Sequence, residues 1–312
     1  MTENQKVKFF NSEATNKLIT VGKKDLKINQ DTNTAKIEKG GLVVEFEKYE
    51  LGKSVVRSSM WKVFDILLIE FTKNNDYKSK NIDYVVTLTI EEIALKLGYD
   101  VKLNKELTGE ELEKEKKRIA FNLKNANKAI TKDLNLLFGV YLTWKGENSK
   151  KKNEDISRVR IMPELTIKNR RVNAVLGYSL AQYLVNSYIG KYNLNVLKTN
   201  GNNPLAYQLG IKLISHHNIN LIKKNNNGKK LGIKKIIAGV GELPTLAELN
   251  DPTHWKRYIK EPIERSLEQL KELEVVKEWY YQNKAGDILK MEDLKKISCL
   301  DYEKLYLGFE LY

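Results

Sequence analysis

The stretch from Thr108 to Arg160 limits what this chain can fold into more than any other. Leu112, Ile119, Leu123, Ala126, Ile130, Leu134 and Leu137 recur at steps of three, four and seven residues, the spacing that lines one side of an α-helix. Thr108 and Glu111 have the spacing of a capping box at its start. Between Lys114 and Lys132 the remaining faces carry Lys114, Lys116, Lys117, Arg118, Lys124, Lys128 and Lys132 against a single acid, Glu115, with Asn122 and Asn125 among them. Val140 to Trp144 is apolar and β-prone, and Lys145 to Asp155 (KGENSKKKNED) reads as a polar turn. Ile156 to Ile161 (ISRVRI) alternates as a strand does. Helix, strand, basic loop, strand is the order of a winged helix, a relative of the helix-turn-helix whose recognition helix enters the major groove.

The elements before this stretch complete that order. Ser58 or Ser59 is placed to cap a helix over Met60–Phe71, Tyr84–Leu88 reads as a strand, and Thr89 with Glu92 forms a second capping box for a helix that stops at Gly98. Pro163 and the cluster Lys168, Arg170, Arg171 then read as a boundary, followed by a helix over Ser179–Tyr188. The order recurs further on. Asn203 and Pro204 begin a helix as N-cap and N1. Lys223 to Lys230 (KKNNNGKK) reads as a basic hairpin, and Ile233 to Ala238 is a short helix. Thr253 starts a longer helix with the stripe Trp255, Ile259, Ile263, Leu267, Leu270 and Leu273, with a kink expected from Pro262. Val275–Tyr281 and Tyr306–Leu311 follow as strands, separated by a short helix over Met291–Ser298. The first fifty residues suggest only short strands at Lys17–Val21, Leu26–Ile28 and Leu42–Phe46. The expected fold is therefore α+β and mainly helical, with two tandem winged-helix domains: an N-terminal arm over 1–54, a first domain over 55–170 and a second over 171–312.

Composition narrows the function. The 312 residues carry 54 Lys and Arg against 40 Asp and Glu, a net charge of +14. That surplus favours polyanionic partners, nucleic acid before an anionic membrane surface. One cysteine and three histidines leave no disulfide framework and little for a metal site. No apolar run approaches the ~18 residues of a spanning helix, and MTENQKVKFF lacks the apolar centre of a signal peptide. A reducing cytoplasm is the expected location. No Gly-x-x-x-x-Gly-Lys-Ser/Thr loop occurs, nor a nucleophile elbow. His216 and His217 are adjacent, whereas a metal-dependent nickase needs two histidines flanking an apolar residue. No catalytic residue, metal ligand or cofactor is expected.

NPLAYQLGIKL at Asn203–Leu213, HWKRYIKEPIERSLEQLKEL at His254–Leu273 and the following VVKEWYY resemble the second domain of plasmid replication initiators, the tandem winged-helix family of theta-replicating plasmids from low-GC Gram-positive bacteria. The resemblance spans roughly residues 55–312. It implies a protein that binds repeated origin sequences on double-stranded DNA, opens the origin and brings in a host initiator or helicase; a homodimer is compatible with it. Lys256, Arg257 and Lys260 match where the family reads DNA.

From the residues themselves, the candidate DNA-contacting set in the first domain is Lys117, Arg118, Asn122, Asn125 and Lys128 on the long helix, with Lys150, Lys151, Lys152 and Arg158 on the wing. In the second domain it is His254, Lys256, Arg257, Lys260 and Arg265. Asn pairs bidentately with adenine and Arg with guanine, while Lys finds phosphates without reading sequence. A lysine-rich solvated face is the plain alternative for each cluster. Trp144, Tyr280 and Tyr281 are expected in the core rather than as stacking platforms. The competing functions are a plasmid or phage transcription repressor and a metal-dependent DNA-nicking replication enzyme.

Overall fold

The computed structural model describes residues 6–21, 25–29, 31–32, 34–39, 41–47, 58–104, 106–145, 156–201, 203–249 and 251–312. It is an α+β protein with about twice as much helix as strand. The chain divides into two compact units. An amino unit holds residues 8–12 and 26–189, and a carboxy unit holds 1–7, 13–25 and 190–312. Along the chain the amino unit ends at Ile189 and the carboxy unit continues from Gly190, and the described residues among the first fifty are divided between the two.

β1 (Lys6–Asn11) and α1 (Glu13–Ile19) open the chain. Lys17–Ile19, expected as part of a strand, is instead the end of a helix that buries Ala14, Thr15, Leu18 and Ile19. In the amino unit β2 (Leu26–Asn29), β3 (Thr34–Lys39) and β4 (Leu42–Phe46) form an antiparallel meander. α2 (Ser58–Asn74) follows and buries Trp61, Phe64, Leu67, Leu68 and Phe71. β5 (Val85–Thr89) leads directly into α3 (Ile90–Lys96). The capping box there is formed: Thr89 Oγ1 accepts from the Glu92 amide at 3.1 Å, and Glu92 Oε2 accepts from the Thr89 amide at 2.7 Å. Gly98 closes the turn at φ +85°. α4 (Gly109–Phe138) is the long helix. The capping box expected at Thr108 is absent: its side chain makes no cap hydrogen bond, and Gly109 sits at φ +59°.

β6 (Val140–Trp144) and β7 (Ile156–Arg160) do pair as a hairpin, but not with β5. β6 adds to β4, with Leu42 opposite Trp144, Val44 opposite Leu142 and Phe46 opposite Val140, giving a five-stranded sheet ordered β2-β3-β4-β6-β7. The reason lies in the alternation. Both strands bury every second residue, and this register puts both buried sets on one face. β5 finds its partners later. β8 (Glu164–Lys168) and β9 (Arg171–Val175) form a tight hairpin, and the three strands order as β5-β9-β8. Asn169 and Arg170 sit at φ +50° and +61°, the conformation of a type I′ turn. The segment read from sequence as a boundary is therefore the hairpin that completes the sheet. α5 (Tyr178–Val185) and β10 (Tyr188–Asn193) follow.

The carboxy unit repeats the order. α6 (Pro204–Ile222) is capped by Asn203, whose side chain accepts from Ala206, and it leads through a 3-10 turn at Asn226–Lys229 to β11 (Lys230–Gly232). The expected hairpin over Lys223–Lys230 is this 3-10 turn instead. α7 (Ile233–Gly239) follows. The next helix begins as a π-turn over Lys256–Lys260 and continues as α8 (Glu261–Glu272). Pro262 explains the change of pitch: it has no N–H to give and its ring crowds the carbonyl four residues back. β12 (Val276–Gln282), α9 (Met291–Lys296), α10 (Cys299–Glu303) and β13 (Tyr306–Leu311) complete the unit, with strands ordered β11-β13-β12. Gly210 sets how closely α6 meets α8, since an added Cβ would lie 2.5 Å from Val196 Cγ2 and 2.9 Å from Leu270 Cδ2. Trp144 and Tyr281 are buried, as expected of them, and Tyr281 shares a 2.9 Å hydrogen bond with Tyr302.

The two units share one junction in detail. The Ile90 amide, opening α3, donates to the carbonyl of Arg170, the residue before β9. The Ile233 amide, opening α7, donates to the carbonyl of Leu305, the residue before β13; the distances are 2.8 and 2.9 Å. Each unit therefore runs helix, strand, helix, helix and then supplies two more strands to a three-stranded sheet whose last strand lies in the middle; β6 and β7 precede those strands in the amino unit, and α9 and α10 lie between them in the carboxy unit.

Candidate nucleic-acid interface

The apolar stripe of α4 fixes what its other side can do. Leu123, Ala126, Ile130, Leu134 and Leu137 are buried, while Gly109–Asn122 contributes no fully buried side chain. At 100° per residue, Lys114, Lys117, Lys124, Lys128 and Lys132 project opposite that stripe together with Phe121, Asn125 and Asn135. All eight are exposed. The acids of this span lie elsewhere: Glu115 faces Arg118, and Asp133 is buried. None of the five lysines makes an ion pair among the described residues. From Lys114 to Lys132 the row covers about 27 Å at ~1.5 Å rise per residue.

The structure separates the sequence-selected residues of this helix. Lys117, Asn125 and Lys128 belong to the exposed row. Arg118 and Asn122 do not. The Arg118 guanidinium is clamped by Glu115 and Asp100, and the Asn122 amide donates to the Asp100 carbonyl at 2.9 Å. The hydrogen bond to Glu115, then that to Asp100, raises the Arg118 pKa further above its already high value, and the same pairing lowers that of Glu115. A donor already committed to the chain's own carboxylates is a poor reader of guanine.

Lys150, Lys151 and Lys152 lie outside the described residues. Arg158 is described, and it is bound to the sheet: Nε donates to Glu45 at 2.6 Å, and the guanidinium lies 4.2 Å from the centre of the Tyr141 ring. Arg160 is held beside it by the Tyr141 hydroxyl and Glu47. These arginines stitch β7 to β6 and β4. The basic hairpin tip that sequence reasoning did not place at a site is Lys168-Asn169-Arg170-Arg171, exposed throughout. Its only sequence signal was charge density without a glycine. Arg170 pairs with Glu91 at 3.1 Å.

In the carboxy unit the polar side of the π-turn and α8 is likewise sorted. Lys256 gives its amine to the Lys295 carbonyl at 2.7 Å, and Lys260 pairs with Glu264 at 2.8 Å and is largely covered. His254 is exposed, with Nδ1 3.5 Å from Asp251. Arg257 and Arg265 remain exposed, Arg257 lying 5.7 Å from the Tyr258 ring centre. Glu261, Glu268 and Glu272 share that exposed side, so this helix is far less basic than α4. Lys229 and Lys230 precede α7 and Lys234 and Lys235 lie in its first turn, with Lys230 over the Tyr306 ring. Both units thus concentrate basic residues where the second helix meets the last strand.

His216 is half-buried, with Nε2 3.1 Å from the Asn227 carbonyl and 2.9 Å from that of Lys230. Two acceptors at one nitrogen fix the proton on Nε2. Burial, aided by Lys212 and Lys235, nevertheless lowers its pKa. Among the described residues no group of three or more His, Cys, Asp or Glu is placed to hold a metal ion, and no helix is long and apolar enough to cross a membrane.

Comparison of the chain with models of known protein families gives no match, and comparison with curated protein sequences gives none either.

Proposed function

We propose that the chain is a sequence-specific double-stranded DNA-binding protein made of two winged-helix units, and that it initiates plasmid replication by binding repeated origin sequences. The observation that carries the DNA-binding part is the row of exposed lysines on α4, free of acids and directly opposite the buried stripe. A helix so presented fits a major groove about 12 Å wide, and its lysines neutralise phosphates and release counterions. Two features support the winged-helix reading: the shared element order, and sheets in which the last strand sits between the other two. In this reading α4 is the first recognition helix, Lys168–Arg171 is the wing of the amino unit, and Arg257 and Arg265 are the open contacts of the second recognition helix. The initiator role rests on the resemblance in NPLAYQLGIKL, now α6, and in HWKRYIKEPIERSLEQLKEL, now the π-turn and α8. The work done is binding energy spent on the duplex; recruitment of a host initiator or helicase would follow from assembly on an array.

Selecting bound fragments from random DNA, then footprinting them, tests this directly. The expected result is a recurring sequence, and a replicon carrying repeats of it that is maintained only when the protein is supplied. A single site that represses transcription but supports no replication would reduce the function to that of a repressor. Relaxed circles from supercoiled plasmid with Mg²⁺ or Mn²⁺ would show a nicking enzyme instead.

A further inference from the structure

Phe121 is 65% exposed, in the centre of the lysine row of α4. It belongs to no buried cluster: the stripe beside it, from Leu123 to Leu137, points the opposite way. Lys117 lies one turn before it, and Lys124 and Asn125 one turn after. Asn125 is exposed and makes no hydrogen bond among the described residues. The helix therefore presents one apolar ring and one free carboxamide inside a cationic frame, about 5–6 Å apart at Cβ for an i,i+4 pair.

We propose that Phe121 and Asn125 make α4 a reader of A·T pairs in the major groove, a specificity that rests on the DNA-binding reading above. The chemistry of the groove gives the reason. The thymine C5-methyl is the apolar group on its floor, and adenine offers N7 and N6 together to a carboxamide. A side chain that buries a methyl against an aromatic ring gains from apolar area, whereas over a G·C pair the same ring covers polar edges without satisfying them. Base pairs stack about 3.4 Å apart, so the two side chains reach the same or neighbouring steps. The flanking lysines hold phosphates on either side and add affinity without choosing a sequence.

The test uses the full chain and three short duplexes of equal length: alternating dA-dT, alternating dA-dU, which lacks the thymine methyl, and alternating dG-dC. Binding is measured across salt concentrations. The wild-type protein is expected to bind dA-dT tightest and to lose about fourfold for each methyl contact on going to dA-dU, the factor for one buried methyl group. Phe121→Ala is expected to bind dA-dT and dA-dU alike while keeping the wild-type salt dependence; Phe121→Leu is expected to retain part of the preference. Asn125→Ala is expected to narrow the gap between dA-dT and dG-dC. Because Phe121 is exposed, thermal melts of the variants should overlay the wild type. Equal wild-type affinity for dA-dT and dA-dU, or a methyl preference that survives in Phe121→Ala, would overturn the proposal. So would tighter binding to the single strands than to the duplex, which would make Phe121 a stacking platform. Loss of salt-dependent binding to every duplex would remove the DNA-binding reading itself, an outcome distinct from binding without methyl discrimination.

Discussion

A histidine whose ring nitrogen is shared by two carbonyls ties α6 to the turn before β11. Burial opposes the charge of His216 and holds its pKa below the ordinary value. Its folded pKa is therefore below its unfolded value of roughly 6.5. The unfolded chain binds the proton first as pH falls, so this group's contribution is complete above that value and is lost as pH drops beneath it. Urea melts taken from about pH 7 to pH 5 should show the midpoint falling, and His216→Gln should flatten that fall. An unchanged slope in the variant would show that other groups carry the acid sensitivity. The same scale separates decoration from commitment among the arginines. Arg118, Arg158 and Arg160 look alike in the sequence, yet each is bound by carboxylates of its own unit. Composition counts such side chains as available, and only their neighbours show that they are not. Phe121 is not legible in the sequence for the opposite reason: it is out of phase with the apolar stripe, and only its exposure gives it meaning.

At the scale of elements, the two-residue turn Asn169-Arg170 holds two side-chain-bearing residues in the left-handed region. That conformation costs a residue with a Cβ about 1–2 kcal/mol, a cost that glycine escapes. Arg170→Gly creates Asn-Gly, the preferred pair for this turn. It removes only an exposed ion pair with Glu91, which contributes little. The variant should unfold at higher temperature and bind duplex DNA more weakly, a combination expected when strain is kept for function. A lower melting temperature would mean that the Arg170 side chain holds the hairpin. This hairpin was also where sequence reading went astray. β6, β7, β8 and β9 all alternate, and nothing local says which of them will meet β5, because strand pairing is decided by distant partners. The carboxy unit was more legible because its long stripe, its Asn-Pro start and its closing strand Tyr306–Leu311 are strong local signals. β3 was missed because Thr34–Lys39 (TAKIEK) is short and charged, and is recognisable as a strand only once β2 and β4 flank it.

For the whole molecule, the net charge of +14 becomes informative only through its placement. A uniformly solvated surface would spread lysine and glutamate together, as the exposed side of α8 does. The α4 row does not, and the basic junctions before α7 and β9 accompany it. The most direct test of the central claim is the salt dependence of duplex affinity for the wild type, for the triple variant Lys117→Gln, Lys124→Gln, Lys128→Gln, and for Arg118→Gln. Each phosphate contact contributes about 0.9 to the slope of log affinity against log salt. The triple variant should therefore lose about 2.7 from the slope while Arg118→Gln stays close to the wild type. A triple variant with the wild-type slope would contradict the claim that α4 lies against DNA.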